Sequence, residues 1–309
     1  MSIDHTRGVK WQDLVRELRQ RGDITLPRFL EETGLELEDL YRRREGWTAL
    51  RRAAGLEGPA ADAAADKHLG RAFGRMLHID DAERLDFLRA VLNGDAHPIS
   101  GRRSRLLAMA EAALWGSVDS CRDVATRLAR INEVRAAELA QLVDILQARA
   151  LDPAAPLDPA VPLRVHARYS KNETLAAFGL TSFEHMRQGV LYVPAHKADL
   201  FFVTIDKAEN QYSKTTLYND YAITEDRFHW ESQSTLHADA PTAHRYIGGQ
   251  STAHLLLRPS KRDTGLGAPP YVYAGPVSYI RHDGERPIRF VWQLAHPLPP
   301  EVFQYAARA

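Results

Sequence analysis

The side chains best suited to chemistry lie between residues 204 and 249, where tyrosines, Phe228 and Trp230 alternate with hydroxyls, amides and single charges. The core of that stretch reads Tyr212-Ser-Lys-Thr-Thr-Leu-Tyr-Asn-Asp-Tyr221, then Phe228-His-Trp-Glu-Ser-Gln-Ser234, then Pro241-Thr-Ala-His-Arg-Tyr246. Rings of this kind stack on the faces of a nucleobase while neighbouring polar groups read its edge. The same alternation also fits a plain strand, with Phe228 and Trp230 turned into a core and the polar residues facing water.

Most other catalytic chemistry lacks its residues. No Gly-Lys dipeptide exists for a phosphate-binding loop, and no Gly-x-Gly-x-x-Gly for a dinucleotide. Glu184-His185 has no second histidine at helical spacing, so the zinc-protease pattern fails. A restriction-type nuclease needs two acids followed by acid-x-Lys on a strand. Here Lys207 directly follows Asp206 and so points to the opposite face. His196-Lys197 lacks the spacer of a His-x-Lys phosphodiesterase, and His166, His185, His237, His244 and His254 are scattered. No metal and no cofactor is expected, although a divergent nuclease built on Asp199, Asp206, Asp220 and Glu231 stays open.

The elements that must position these residues change character midway. Of 309 residues, 40 are Lys or Arg and 40 are Asp or Glu, and the balance holds on both sides of residue 150. Tyrosine does not follow it, since all but Tyr41 of the eleven lie after residue 150, while Leu, Ala, Arg and Glu crowd the first part. That shift marks helices giving way to strands. Prolines 153, 156, 159 and 162 predict a linker over 151–162, between a helical domain at 1–150 and a β-rich domain at 163–309.

Trp11, Leu14, Val15 and Leu18 form the stripe of an amphipathic opening helix that Gly22 ends. Short helices at 28–33, 36–44 and 47–54 suggest a helix-turn-helix-like piece at 23–56, although its arginine clusters also suit a solvated face paired with nearby acids. Further helices are expected at 63–77, 80–93, 102–115, 118–128 and 131–150, as a connector or docking domain.

The second part predicts a strand at 163–166, a helix at 171–178, and strands at 189–194, 199–206, 227–234, 253–258, 271–274, 277–282 and 288–294. Asp283-Gly284 forms a hairpin turn, and the strand at 199–206, apolar on both faces, is central. Many short strands with one or two helices and no β-α-β alternation predict an α+β protein ending in a small barrel or curved sheet. One cysteine, Cys121, excludes an internal disulfide. With no long apolar run and no signal-like start, a cytoplasmic protein without a membrane partner is expected.

Leu163-Arg-Val-His-Ala-Arg-Tyr-Ser170, Ala198-Asp-Leu-Phe-Phe-Val-Thr-Ile-Asp-Lys207, the three segments quoted first, and Gly284-Glu-Arg-Pro-Ile288 together resemble the uncharacterised C-terminal domain of bacterial superfamily II helicases, many of which also carry a phospholipase-D-type nuclease. The resemblance spans most of 164–309. Leu35 to Tyr41 and Leu77-His-Ile-Asp-Asp81 resemble the segment joining the motor to that domain. The family includes modification-dependent restriction enzymes whose C-terminal domain is similar to the SET-and-RING-associated, pseudouridine-synthase-like barrels that flip a modified cytosine.

The chain lacks motor and nuclease motifs, so the resemblance implies a non-enzymatic recognition role in a restriction or phage-defence system, with modified double-stranded DNA as partner and a helicase or nuclease as a further one. By analogy with such barrels, Tyr218 and Trp230 would sandwich the base, Asp220 would accept from cytosine N4, Ser232 and Gln233 would close the edge, and Lys171, Lys207, Lys214 and Arg245 would hold phosphates. A protein-docking module without DNA affinity is the other expectation. A net charge of zero forecasts weak nonspecific binding.

Overall fold

A computed structural model describes residues 10–42, 45–133, 135–150, 158–183, 189–205, 219–262 and 265–307. The chain divides into two compact units, one of residues 1–153 with 263–267 and one of residues 154–262 with 268–309.

The first unit is helical: α1 Trp11–Arg21, α2 Leu26–Thr33, α3 Leu37–Tyr41, α4 Gly46–Ala54, α5 Ala63–Met76, α6 Ala82–Leu92, α7 Arg102–Trp115, α8 Val124–Glu133 and α9 Ala136–Arg149. Leu14 and Leu18 of the predicted stripe are fully buried. Asp62 accepts hydrogen bonds from the backbone N–H of Ala64 and Ala65 at 2.9 and 3.0 Å, and so fixes where α5 starts. Two helices lie elsewhere than the sequence suggested. The stretch expected at 118–128 begins only after Asp123, whose carboxylate accepts from the Thr126 N–H at 2.9 Å. The one expected at 131–150 is split from it by Arg135, at φ 55 in the left-handed region.

A buried carboxylate ties these helices together. Glu138, on α9, accepts from the Trp47 and Thr48 N–H groups at 2.7 and 3.0 Å and from the Tyr41 hydroxyl at 2.7 Å. It therefore serves as a remote anionic cap for the N-terminus of α4. Arg135 reaches the same carboxylate at 3.2 Å and grips Asp66 at 2.7 and 2.8 Å, and Arg52 meets Asp66 at 2.7 Å. Burial works against charge on Asp66, yet the guanidiniums of Arg135 and Arg52 hold it at about 2. Burial and the Glu138 charge push the Tyr41 hydroxyl far up, which keeps it a donor. Gly46, at φ 81, is required here because a Cβ would stand 2.6 Å from the Glu138 oxygen. Of the two arginine clusters that suggested a helix-turn-helix piece, at 42–44 and 51–52, Arg51 and Arg52 are engaged with Asp23, Glu57 and Asp66.

The second unit holds β1 Arg168–Tyr169, α10 Lys171–Ala177, β2 Val190–Val193, β3 Ala198–Thr204, β4 Tyr221–Thr224, β5 Arg227–Glu231, α11 Pro241–Ile247, β6 Thr252–Arg258, β7 Tyr271–Asp283, β8 Arg289–Leu294 and α12 Pro300–Ala306, with a 3-10 turn at Pro194–His196. Strand order is β2-β3-β6-β7-β8-β5-β4, with β1 paired to the start of β7. Among these strands only β3 and β6 run parallel, and β3 is buried along its whole length between two neighbours, as a two-sided apolar strand should be. Ser170 and Glu173 form a capping box that starts α10 as predicted.

The sheet curls strongly. Phe201 on β3 stacks on Trp230 of β5 with centroids 4.5 Å apart, although β6, β7 and β8 lie between those strands in the sheet. Of the two forms expected, a small barrel or a curved sheet, it is the curved one, a mixed sheet that does not close: among the described residues β2 and β4 do not pair. Tyr246 of α11 and Val302 and Ala306 of α12 join the core on its concave side, supplying apolar surface that a closing strand pair would otherwise bury. Among the described residues three helices are present where one or two were expected, because α11 and α12 are short elements of 7 residues without a long periodic stripe. The strand expected at 163–166 is a turn, with His166 at φ 69, and pairing begins at Arg168. The two strands expected at 271–274 and 277–282 are one, kinked where Gly275 sits at φ 92 beside a register shift. Among the described residues no helix is long and apolar enough to cross a membrane.

Two outcomes follow from these interiors. Glu138→Ala strands two buried N–H groups and the Tyr41 hydroxyl and takes one of Arg135's two carboxylates, so the helical unit should lose about 3 to 5 kcal/mol in denaturant unfolding followed by far-UV circular dichroism; a loss below about 1 kcal/mol would contradict the tie. In the other unit, His254 Nδ1 hydrogen-bonds with the Tyr273 hydroxyl at 2.7 Å, and burial lowers its pKa to about 4. The fold holds this imidazole neutral, so as pH falls from about 6.5 to about 4 the unfolded chain takes up the proton first and stability drops, by at most about 1.4 kcal/mol per pH unit. In His254→Gln that part of the acid slope should flatten.

Candidate functional site

Strand alternation decides which residues of the aromatic stretch face outward. On β5, Phe228, Trp230 and the following Ser232 point into the core, at 0, 5 and 0% exposure, while His229 and Glu231 lie on the open face. The open face carries two cross-strand rungs. One runs Tyr221–His229–Val291–Arg281 over four strands, and the next runs Glu231–Arg289–Asp283. With Asn219 and Ile223 these residues line a cleft of about 310 Å³.

Its geometry is specific. The rings of Tyr221 and His229 stack 4.7 Å apart at 16°. His229 Nδ1 is 2.8 Å from the Asn219 carbonyl, which fixes that nitrogen as the protonated one. The Asn219 N–H donates to Glu231 Oε2 at 3.0 Å, and the Glu231 N–H donates to the Asp220 carboxylate at 2.9 Å. Arg289 pairs with Asp283 at 3.0 Å. Arg281 is exposed and has no acidic partner among the described residues. A bulge between Tyr279 and Arg281 turns Ile280 outward, 40% exposed, and Ile223 is 41% exposed on β4. An aromatic platform, a carboxylate, an unpaired guanidinium and an apolar edge thus share one concave surface. Such a surface can hold a planar, hydrogen-bonding ring next to an anion.

Two of the residues expected to hold the base, Trp230 and Ser232, fall on the inward side of that alternation. Trp230 packs between Phe201, Tyr246 and Phe290, so no base can stack on it without dismantling the core. Ser232 accepts from the Ile288 N–H at 2.9 Å and donates to the Gln233 carbonyl at 3.1 Å, bracing the strand end. Asp220 is spent on the Glu231 backbone, and Gln233 is only partly exposed beyond the strand. Arg245, on α11, forms a bidentate pair with buried Asp199, both bonds at 2.8 Å, and lies 4.0 Å over the Tyr192 ring. The Asp199 hydrogen bonds raise its pKa, so it is a structural cation rather than a phosphate contact. Lys171 starts α10 at the other end of β7 from the cleft. Burial, with Arg258 and Lys261 close by, lowers its pKa and marks a local concentration of positive charge. Tyr218, Lys207 and Lys214 lie outside the described residues, as do Asp206 and His185.

Sequence reasoning missed Tyr221, Glu231 as a cleft residue, Ile223, Arg281 and Arg289. For Tyr221 and Glu231 the signal was the period of two, each lying one residue beyond a chosen one; Ile223, Arg281 and Arg289 enter only through strand pairing. Of the acids considered for a nuclease, Asp199 and Glu231 stand on strands with three others between them, and no three metal-ligating side chains converge among the described residues.

An α+β chain with an open, curled mixed sheet and an aromatic cleft on its outer face is thus the class defined by fold and site. The model of one family, described as a domain of unknown function (DUF3427), matches residues 163–306, so the chain carries that domain at its C-terminal side. No curated protein matches the chain.

The two faces of β5 separate stability from binding. Trp230→Ala should destabilise the β-rich unit by about 3 to 5 kcal/mol, and His229→Ala by under about 1 kcal/mol, in chemical denaturation. The reverse order would refute the inward assignment of Trp230.

Proposed function

We propose that the β-rich unit is a DNA-recognition module that holds an extrahelical modified cytosine in the outer cleft, serving a helicase-type, modification-dependent restriction or phage-defence system. The observation that carries it is the stacked Tyr221–His229 pair beside Glu231 and the unpaired Arg281. The base stacks on the exposed side of that pair, a platform rather than the two-sided sandwich expected of a flipping barrel. Glu231, rather than Asp220, accepts the cytosine N4 hydrogen bond, since carboxylates suit that donor. Ile223 offers apolar surface to a C5 substituent, as apolar side chains do to the thymine methyl. Arg281 takes a neighbouring phosphate, and the positive charge around Lys171, Arg258 and Lys261 supports a second backbone contact. The similarity of the quoted motifs to helicase-associated domains supports the biological setting.

The test is binding of the full chain to matched duplexes bearing cytosine, methylcytosine or hydroxymethylcytosine, read by fluorescence anisotropy. The wild type should favour one modified duplex. Tyr221→Ala should remove about 1 to 3 kcal/mol of that binding and Glu231→Gln should erode the preference, while Arg281→Gln should weaken all duplexes alike. A preference that survives Tyr221→Ala and Glu231→Gln would overturn the cleft assignment. Retention of a helicase or nuclease without binding to any duplex would instead favour a docking module.

A further inference from the structure

We infer, resting on the cleft reading above, that Arg289 joins Glu231 in reading the hydrogen-bonding edge of the bound base, so that the cleft takes cytosine-type rings and refuses thymine-type ones. The stacking pair cannot make that choice, because every base offers a π-face to an aromatic platform. Apolar surface at Ile223 suits the C5 methyl of methylcytosine and of thymine equally. These two rings differ only along the edge, and the groups that tell them apart must be polar and stand beside the Tyr221–His229 pair.

Glu231 and Arg289 meet that requirement. They are direct partners in the register of β5 and β8, which puts their side chains next to each other on the open face, and both line the cleft. Opposite charges so placed gain by closing into an ion pair. Here each is drawn off to its far side instead. Glu231 Oε2 accepts from the Asn219 N–H at 3.0 Å, beside β4, and Arg289 Nε donates to Asp283 of β7 at 3.0 Å. No ion pair joins Glu231 to Arg289 among the described residues. Gly284, at φ 73, leaves room for the guanidinium in this position, since a Cβ there would stand 3.1 Å from Arg289 Nη2.

An acceptor and a set of donors therefore stand side by side with a gap between them. The carboxylate can only accept, and the terminal nitrogens of the guanidinium can only donate. The cytosine edge presents the complement, its N4 amino group followed by the N3 and O2 acceptors. Thymine instead turns O4 toward the carboxylate and N3–H toward the guanidinium, so acceptor meets acceptor and donor meets donor. Polar groups left unpaired in this way reject a ring far more strongly than a lost methyl contact does.

The test compares binding of the full chain to duplexes carrying methylcytosine or thymine at one position opposite an abasic site, read by fluorescence anisotropy. Both bases carry the C5 methyl, and the missing partner removes the difference in pairing that extrusion would otherwise have to overcome. The wild type should prefer methylcytosine by roughly 5- to 150-fold, the discrimination of one well-placed bidentate contact. Arg289→Lys keeps the charge and loses the planar fork, so that preference should fall several-fold while the salt dependence of binding keeps the wild-type slope. Glu231→Gln offers an amide N–H to O4 and should raise thymine binding relative to methylcytosine. If the wild type prefers methylcytosine and Arg289→Lys leaves the ratio unchanged, while Tyr221→Ala weakens both duplexes, the Arg289 inference fails and the cleft reading stands. Equal wild-type affinity for the two duplexes, lowered alike by Tyr221→Ala, overturns the edge reading and leaves the stacking platform. Duplex binding that none of the three substitutions alters overturns both, as does absence of binding by the wild type at low salt.

Discussion

Everything on the outer face of the β-rich unit depends on one stacking contact, that of Trp230 on Phe201 inside the curled sheet. Once Trp230 is inward, the pleat leaves no choice for its neighbours. His229 and Glu231 must face out, their cross-strand partners Tyr221, Val291 and Arg289 must face out with them, and the cleft is assembled without any loop having to be positioned. Tyr246, Phe290 and Trp292 reinforce the same choice by filling the interior around that pair. A site built on paired strands in this way is held by the ladder, which suits recognition of a rigid planar ring.

The helical unit has its own governing contact in the carboxylate of Glu138. It replaces a local cap on α4 and at the same time sets Tyr41, Arg135 and, through Arg135, Asp66 and Arg52. The network consumes Arg52, one of the arginines that suggested a DNA-reading cluster.

Much of this organisation is legible in the sequence, for identifiable reasons. The change from helix to strand near residue 150 is written in the distribution of tyrosine, α10 in its capping box, and β3 in an apolar run on both faces. The helices at α8 and α9 were displaced because Asp123 and the left-handed Arg135 act through single-residue geometry that periodicity does not carry. Closure of the sheet was not legible at all, since it turns on the short helices α11 and α12 completing the core. For the proposed site, two of the residues chosen in the sequence, Trp230 and Ser232, have the inward parity. Phe228, Trp230 and Ser232 share one parity and His229 and Glu231 the other, and only the contact with Phe201, some thirty positions away, decides between them.

The claim that the outward parity binds the base is tested most directly by nuclear magnetic resonance of aromatic side chains in the labelled protein titrated with a modified duplex. The rings of Tyr221 and His229 should shift early and saturate together, with the Trp230 indole unmoved. Early shifts at Trp230, or a saturating complex in which Tyr221 and His229 stay in place, would contradict the claim.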